Sequence, residues 1–257
     1  MASRSCESTE AAQMIPGEPI DPRAFVIDDR LAGVSRIVGV AGSKGGVGRS
    51  VVASTLALAL ADQSKRVGLF DLDFTSPSDH VVLGVERGFP EEEFGIDPHL
   101  AHGIHMVSVA FFTGDAAVPL RGDAATSALL ELLAIIRWGD LDVLVLDMPP
   151  GLGDTNLDII QLLPRLEFLL IGNGSRVVID SVRRALQLYT ELDVPMIGLL
   201  ENMHRGNDQA VESLADAAGV PFLGSVPYDR TLEDALGDVD LLRDSGVYRV
   251  VKDLLPS

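Results

Sequence analysis

A glycine-rich segment, SKGGVGRS at residues 43–50, constrains the fold more than any other part of this chain. It follows the apolar run IVGVAG (37–42) and leads into a helical pattern over residues 49–62. Closely spaced glycines let backbone N–H groups turn inward around an anion, and the start of a helix adds partial positive charge. A strand, a glycine loop and a helix in this order predict a phosphate-binding loop.

The loop departs from the usual phosphate-binding pattern at one position. A lysine normally stands immediately before the final Ser or Thr, but here Arg49 precedes Ser50, and a lysine, Lys44, lies near the front of the loop. The Ser50 hydroxyl is predicted to bind Mg²⁺. The residues expected to contact nucleotide phosphates are Ser43, Gly45, Gly46, Val47, Gly48, Arg49 and Ser50.

Short apolar runs alternate with helical patterns along the rest of the chain. Strands are predicted at residues 37–42, 67–73, 104–110, 142–147, 168–173, 196–202 and 222–227. Helices are predicted at 49–62, 125–138, 177–191 and 208–218. This alternation favours an α/β, three-layer P-loop NTPase fold with a mostly parallel central sheet and helices on both faces. We expect residues 1–35 to be a partly flexible N-terminal lead-in and residues 36–257 to form a single P-loop NTPase domain.

The charge of the chain limits its partners. The 257 residues carry a formal net charge of -18 without any cluster of Lys and Arg, which argues against nucleic acid or an anionic membrane as a partner. The sequence lacks a signal-peptide pattern and its apolar runs are shorter than a membrane span, so we expect a cytoplasmic protein. The single cysteine, Cys6, cannot build a disulfide framework.

Three aspartates stand at the ends of predicted strands. Asp71 and Asp73 end the second strand, and Asp147 ends the fourth. Because ligands of a parallel sheet bind outside the carboxyl ends of its strands, these acids should meet the glycine loop in one crevice. Carboxylates there can hold Mg²⁺ or its waters and orient an attacking water. Each acid alone has an alternative as a solvated strand end or a helix cap.

Four further segments carry a resemblance to a known family. They are DLDFTSPSDHVVLG (71–84), RGDAATSALLELLAIIRWGDLDVLVLDMPPGLGD (121–154), ENM (201–203) and FLGSVPYDRTLEDA (222–235). With the glycine loop, they resemble the Mrp/Nbp group of P-loop ATPases, which belongs with MinD, ParA and the nitrogenase iron protein in the class with a deviant phosphate loop. The resemblance extends from about residue 30 to the end of the chain.

The resemblance implies roles for individual residues. Lys44 matches the signature lysine, which reaches bound phosphates across a homodimer that sandwiches ATP. Asp73 would act near the attacking water, while Ser50, Asp71 and Asp147 would serve the metal. Asn202 would hydrogen-bond adenine, and the loop around Pro227 and Asp229 would flank the base.

The chain also departs from this family at two places. Arg49 replaces the lysine of the phosphate loop, and a planar guanidinium is a poor substitute for a compact ammonium at a close-fitting phosphate site. The iron–sulfur members of the family carry a Cys-x-x-Cys pair shortly after ENM, whereas this chain has no cysteine there. Because thiolates are the usual ligands of these clusters, we expect ATP and Mg²⁺ as cofactors and no iron–sulfur cluster.

The expected function is that of an ATP-binding P-loop protein. We expect a slow or partner-stimulated ATPase that acts as a nucleotide-dependent dimeric switch for an unidentified client protein. The resemblance implies a place in metalloenzyme or iron–sulfur protein maturation. Two alternatives remain open on the sequence: a non-hydrolysing, ATP-locked binding module, and a positioning factor similar to ParA or MinD.

Overall fold

The computed structural model describes residues 23–90, 94–113, 123–206 and 209–255. Cys6 and the first 22 residues of the predicted lead-in lie outside these ranges. Across the described ranges, no helix combines the length and the apolar character that crossing a bilayer requires.

Eight strands form one sheet in the order β3-β4-β2-β5-β1-β6-β7-β8. Every neighbouring pair is parallel except β3 and β4, which are antiparallel. The strands are β1 (Val34–Gly42), β2 (Val67–Asp71), β3 (His99–Ala101), β4 (Ile104–Ser108), β5 (Leu141–Asp147), β6 (Leu166–Gly172), β7 (Met196–His204) and β8 (Phe222–Pro227).

Helices connect most of these strands, as parallel pairing requires. In chain order they are α1 (Arg23–Arg30), α2 (Arg49–Asp62), α3 (Asp79–Val82), α4 (Ala110–Thr113), α5 (Asp123–Ile135), α6 (Asp154–Leu162), α7 (Arg176–Glu191), α8 (Ala210–Ala218), α9 (Leu232–Ala235), α10 (Val239–Arg243) and α11 (Gly246–Val251).

The central strands are buried on both sides. Every residue of β2 is buried, and so are the last six residues of β1. A strand can be buried on both sides only if other elements cover both faces of the sheet, which explains its nearly continuous apolar sequence. The predicted α/β fold with a mostly parallel sheet is confirmed.

Helix α2 is the central helix of the fold. Its residues from Val52 to Leu60 are all buried, and they are apolar except for Ser54 and Thr55. The far end of the helix is tied to the C-terminal helices, because Asp62 accepts hydrogen bonds from Arg243 and from the Tyr248 hydroxyl. A helix held at its far end and along its length presents its first turn in a fixed position.

The structure differs from the sequence prediction in several elements. Helix α1 lies inside the predicted lead-in; Ile27 is buried, and Arg30 donates to the Ala134 carbonyl of α5. Strand β3 lies at the edge of the sheet and was not predicted. Helix α6 and the short helices α3, α4, α9, α10 and α11 were not predicted either. Strand β1 also begins at Val34, three residues before the predicted start.

Candidate nucleotide-binding site

The glycine loop connects β1 to α2 and adopts conformations that favour glycine. Gly46 and Gly48 have φ of 78° and 82°, in the left-handed region. Lys44, Gly45 and Gly46 are exposed, and a Cβ placed on Gly45 or Gly46 would meet no atom within 4 Å. The Ser43 Oγ atom is buried and has no hydrogen-bond partner among the described residues. An open glycine loop, an unpaired hydroxyl and the first turn of α2 fit a phosphate group.

Arg49 does not point into this open loop. Its Nε atom donates to Asp147 Oδ1 at 2.6 Å, and its Nη2 atom donates to Asp73 Oδ2 at 3.1 Å. The side chain is 7 % exposed, so both ion pairs are shielded from water. Burial on its own would lower the pKa of Arg49, but the two carboxylates outweigh burial and raise it. Arg49 therefore joins the ends of β2 and β5 across the crevice.

Asp71 ends β2 and organises the loop that follows. Its two carboxylate oxygens accept hydrogen bonds from the backbone N–H groups of Asp73, Ser78 and Asp79 and from the Ser108 hydroxyl. The chain bends after Asp71, so that Asp71 and Asp73 reach different partners. Burial and the charge of Asp147 nevertheless raise the pKa of Asp71 to about 7.

A third buried carboxylate, Asp79, lies beside Asp71 and Asp147. It begins α3, and its Oδ1 atom accepts a hydrogen bond of 2.9 Å from the Ser54 hydroxyl of α2. Burial, with added repulsion from Asp147 and Asp71, raises the pKa of Asp79 well above its ordinary value. Burial also raises the pKa of Asp147, although Arg49 and the nearby Ser50 hydroxyl oppose that shift. Among the described residues, these three acids are a group whose spacing could hold a metal ion.

Asn202 lies close to the glycine loop from the end of β7. Its Nδ2 atom donates to the Val47 carbonyl at 2.8 Å, and its side chain is packed against Gly48. The predicted adenine-binding residue is thus placed beside the predicted phosphate loop.

Pro227 and Asp229 lie at the end of β8, beside a cavity. Asp229 Oδ1 accepts hydrogen bonds from the backbone and hydroxyl of Thr231, which shapes the loop. The cavity has a volume of about 480 Å³ and is lined by Ser225, Pro227, Tyr228, Asp229, Arg230, Gly246, Arg249 and Val250. The predicted base-flanking residues therefore border a space next to the end of the sheet.

The segment after Asn202 carries a histidine where the resemblance would place cysteines. His204 Nδ1 lies 2.8 Å from Glu201 Oε2, and the buried Glu201 also accepts a hydrogen bond from Ser225. The His204 side chain is partly buried and hydrogen-bonded. Residues 207–208 lie outside the described ranges.

With this geometry established, comparison with known proteins identifies the family. Residues 33–246 match the family described as ParA: NUBPL iron-transfer P-loop NTPase. The chain belongs to this family. The resemblance inferred from the sequence motifs is confirmed. The matched region contains the glycine loop, the predicted aspartates Asp71, Asp73 and Asp147, and Asn202.

Two curated relatives of this P-loop NTPase are named iron-sulfur cluster carrier proteins. The one from Pseudomonas fragi is 36% identical over 213 residues, which cover 77% of this chain and 74% of the relative. The one from Escherichia coli strain K12 is 33% identical over 221 residues, which cover 80% of this chain and 60% of the relative. The chain therefore spans about three fifths of the length of the E. coli relative.

A solved structure shares the fold. The nucleotide-binding protein from Archaeoglobus fulgidus, determined in complex with ADP, superposes with a TM-score of 0.71 at 25% identity. The match covers 91% of this chain and 94% of that protein. The P-loop NTPase fold thus extends over most of the chain.

Sequence reasoning missed part of the site. Asp79 was not predicted, because it ends no strand and the resemblance of the segment 71–84 implied roles only for Asp71 and Asp73. The partners of Arg49 were also not predicted, since they depend on how far its side chain reaches across the sheet. The one available signal for Asp79 was its position eight residues after Asp71, at the start of an apolar run.

Proposed function

We propose that this P-loop NTPase binds ATP with Mg²⁺ and is a slow or partner-stimulated ATPase. It would act as a homodimeric switch that depends on the bound nucleotide. The observation that carries the proposal is the open glycine loop directly beside a buried network of Arg49, Asp73 and Asp147. The ADP complex of the A. fulgidus protein supports the choice of nucleotide. The names of the curated relatives support a role in the maturation of iron–sulfur proteins.

The proposed reaction assigns a task to each part of the site. The loop amides and Lys44 would hold the phosphates, and Ser50, Asp71 and Asp147 would hold Mg²⁺, which would neutralise charge on the phosphate oxygens when bound. Asp73 orients a water in line with the β–γ bridging bond. The water oxygen bonds to the γ-phosphorus, the bond from the γ-phosphorus to the bridging oxygen breaks, the water gives up a proton to a phosphate oxygen, and ADP and phosphate leave.

Arg49 is proposed to restrain this reaction. While Arg49 holds Asp147 Oδ1 and Asp73 Oδ2, these two oxygens are not free for the nucleotide-bound metal or for the attacking water, so that catalysis requires the guanidinium to change partners. Moving Arg49 away from its buried carboxylates costs free energy, whereas nucleotide binding at the exposed loop leaves those ion pairs in place. We therefore propose that binding persists and that hydrolysis is slow until a partner or the dimer moves Arg49.

Replacing Arg49 with lysine should raise ATP turnover by at least about tenfold, because an ammonium fits the phosphate loop and one well-placed donor is worth that much or more in rate. The measurement is steady-state phosphate release under saturating ATP, together with ATP affinity in both proteins. Affinity should change far less than turnover. Equal turnover in the two proteins would contradict the proposed restraint, and no turnover in either would favour the non-hydrolysing binding module.

Lys44→Ala should abolish ATP-dependent dimerisation. Lys44 is exposed at the front of the loop and makes no hydrogen bond or ion pair with any described residue, so that its amine is available to phosphates bound in a second copy. The test is the mass by light scattering with and without ATP. Lys65→Ala, which removes the same charge after the end of α2, is the matched control and should dimerise normally. ATP-driven dimerisation of Lys44→Ala would refute the role of Lys44 across the dimer.

We also propose that this chain serves clusters without holding one in the manner of its cysteine-bearing relatives. The sequence contains one cysteine, Cys6, and none after Asn202. Iron and sulfide analysis after anaerobic purification tests this proposal, and a stoichiometric cluster would overturn it. The client protein is best sought by capture on the ATP-locked form.

A further inference from the structure

The acids under the glycine loop are unevenly neutralised. Four buried aspartates, Asp71, Asp73, Asp79 and Asp147, face one buried guanidinium, that of Arg49. Among the described residues no other lysine or arginine is buried. Since a buried carboxylate is costly unless it is paired, the described side chains leave an excess of acids over counter-charges in this cluster.

The excess is concentrated away from Arg49. Arg49 pairs with Asp73 and with the Oδ1 atom of Asp147, whereas the Oδ2 atom of Asp147 has no hydrogen-bond partner among the described residues. The Oδ2 atom of Asp79 is likewise unpartnered, and the Asp79 side chain is completely buried. Two buried oxygens without donors therefore belong to acids that lie side by side.

The spacing of these oxygens matches a cation. One carboxylate oxygen each from Asp71, Asp79 and Asp147 can be chosen so that all lie within 4.8 Å of one another. Oxygens this close can share one ion at metal–oxygen distances of about 2.0 to 2.6 Å. A ligand set made only of carboxylate oxygens favours a hard divalent ion such as Mg²⁺ or Mn²⁺ over zinc or copper.

We propose that Asp71, Asp79 and Asp147 form a divalent-cation site that fills in the nucleotide-free protein, with Asp79 as a ligand. This site differs from the proposed nucleotide-bound Mg²⁺, which needs Ser50 and phosphate oxygens. A cation held under the loop stabilises the empty crevice and keeps Asp147 close to its place before nucleotide arrives. The Ser54 hydroxyl holds Asp79 in position through Oδ1 and leaves Oδ2 for the ion.

Titration of the nucleotide-free full chain with Mn²⁺, followed by electron paramagnetic resonance, tests the proposal. We expect one Mn²⁺ per chain that Mg²⁺ displaces, and an affinity at least about tenfold weaker in Asp79→Asn, which replaces one carboxylate oxygen with an amide nitrogen and removes the negative charge. Asp216→Asn makes the same change in charge at an exposed position of α8 and should bind as the unchanged chain does. Thermal unfolding checks that each variant is folded.

Two results would overturn the proposal. One is the same Mn²⁺ affinity in Asp79→Asn and the unchanged chain; the other is no stoichiometric Mn²⁺ in the unchanged chain, which would mean that protons neutralise the acids. ATP binding measured with Mg²⁺ present tests the proposed function separately from this site. A chain that binds Mn²⁺ but not ATP would defeat the proposed function and leave the cation site standing.

Discussion

Arg49→Ala is expected to lower the free energy of unfolding of the nucleotide-free protein by about 3–5 kcal/mol at neutral pH, the usual cost of removing one partner of a buried ion pair. The guanidinium is the one buried cation that the described structure offers to Asp147 and Asp73, so that alanine leaves both acids without a counter-charge. Urea unfolding at constant protein concentration measures the loss.

Arg36→Ala is the matched control for this prediction. Arg36 also binds a carboxylate through two nitrogens, at 2.8 and 2.9 Å from Glu167, but both side chains are about one third exposed. Solvent-screened pairs contribute little, so that this variant should lose at most about 1 kcal/mol. Equal losses of unfolding free energy in the two variants would show that burial does not strengthen the ion pairs of Arg49.

The loss in Arg49→Ala should also depend on pH in a defined direction. Burial raises the pKa of Asp147 in the folded protein, and removing the guanidinium takes away the largest opposing effect. A carboxyl whose folded pKa lies above its unfolded value destabilises the protein at high pH, and this penalty disappears as the pH falls toward the ordinary value of about 4. The difference in free energy of unfolding between the unchanged protein and Arg49→Ala should therefore become smaller as the pH is lowered from neutral.

The parts of the fold that the sequence predicted are those with a strong local pattern. The predicted strand at 142–147 matches β5 within one residue, because a strand buried on both faces must be apolar throughout. Strand β3 could not be found in this way, since it has three residues and two of them are exposed. Its position depends on antiparallel pairing with β4, which no local pattern shows.

The candidate site likewise contains residues that the sequence predicted and residues that it did not. Asp71 and Asp147 were predictable because the carboxyl ends of parallel strands meet at one edge, and the two residues are paired across β2 and β5. The ion pairs of Arg49 were not predictable. The sequence shows the charge of Arg49, but which acids it contacts depends on how far its side chain extends across the sheet. Asp79 follows a loop whose path is set by hydrogen bonds to Asp71, and such tertiary contacts leave no periodic signal.

Gly48→Ala is expected to cost about 2–3 kcal/mol of stability, about 1–2 from a left-handed backbone and about 1 from a broken hydrogen bond. Gly48 has a φ of 82°, and its added methyl group would overlap Asn202 Nδ2. Asn202 must then leave the Val47 carbonyl, which also removes it from the predicted adenine site. ATP affinity should fall at least about tenfold, the equivalent of about 1.4 kcal/mol.

Gly46→Ala separates the two causes, because Gly46 has nearly the same φ, 78°, but no atom within 4 Å of an added Cβ. It should show the backbone cost alone. The double variant Gly48→Ala with Asn202→Ala provides the decisive comparison, since removing the amide removes the overlap. Combined losses smaller than the sum of the single losses would establish that Gly48 is required for contact with Asn202, whereas additive losses would reduce its role to backbone conformation.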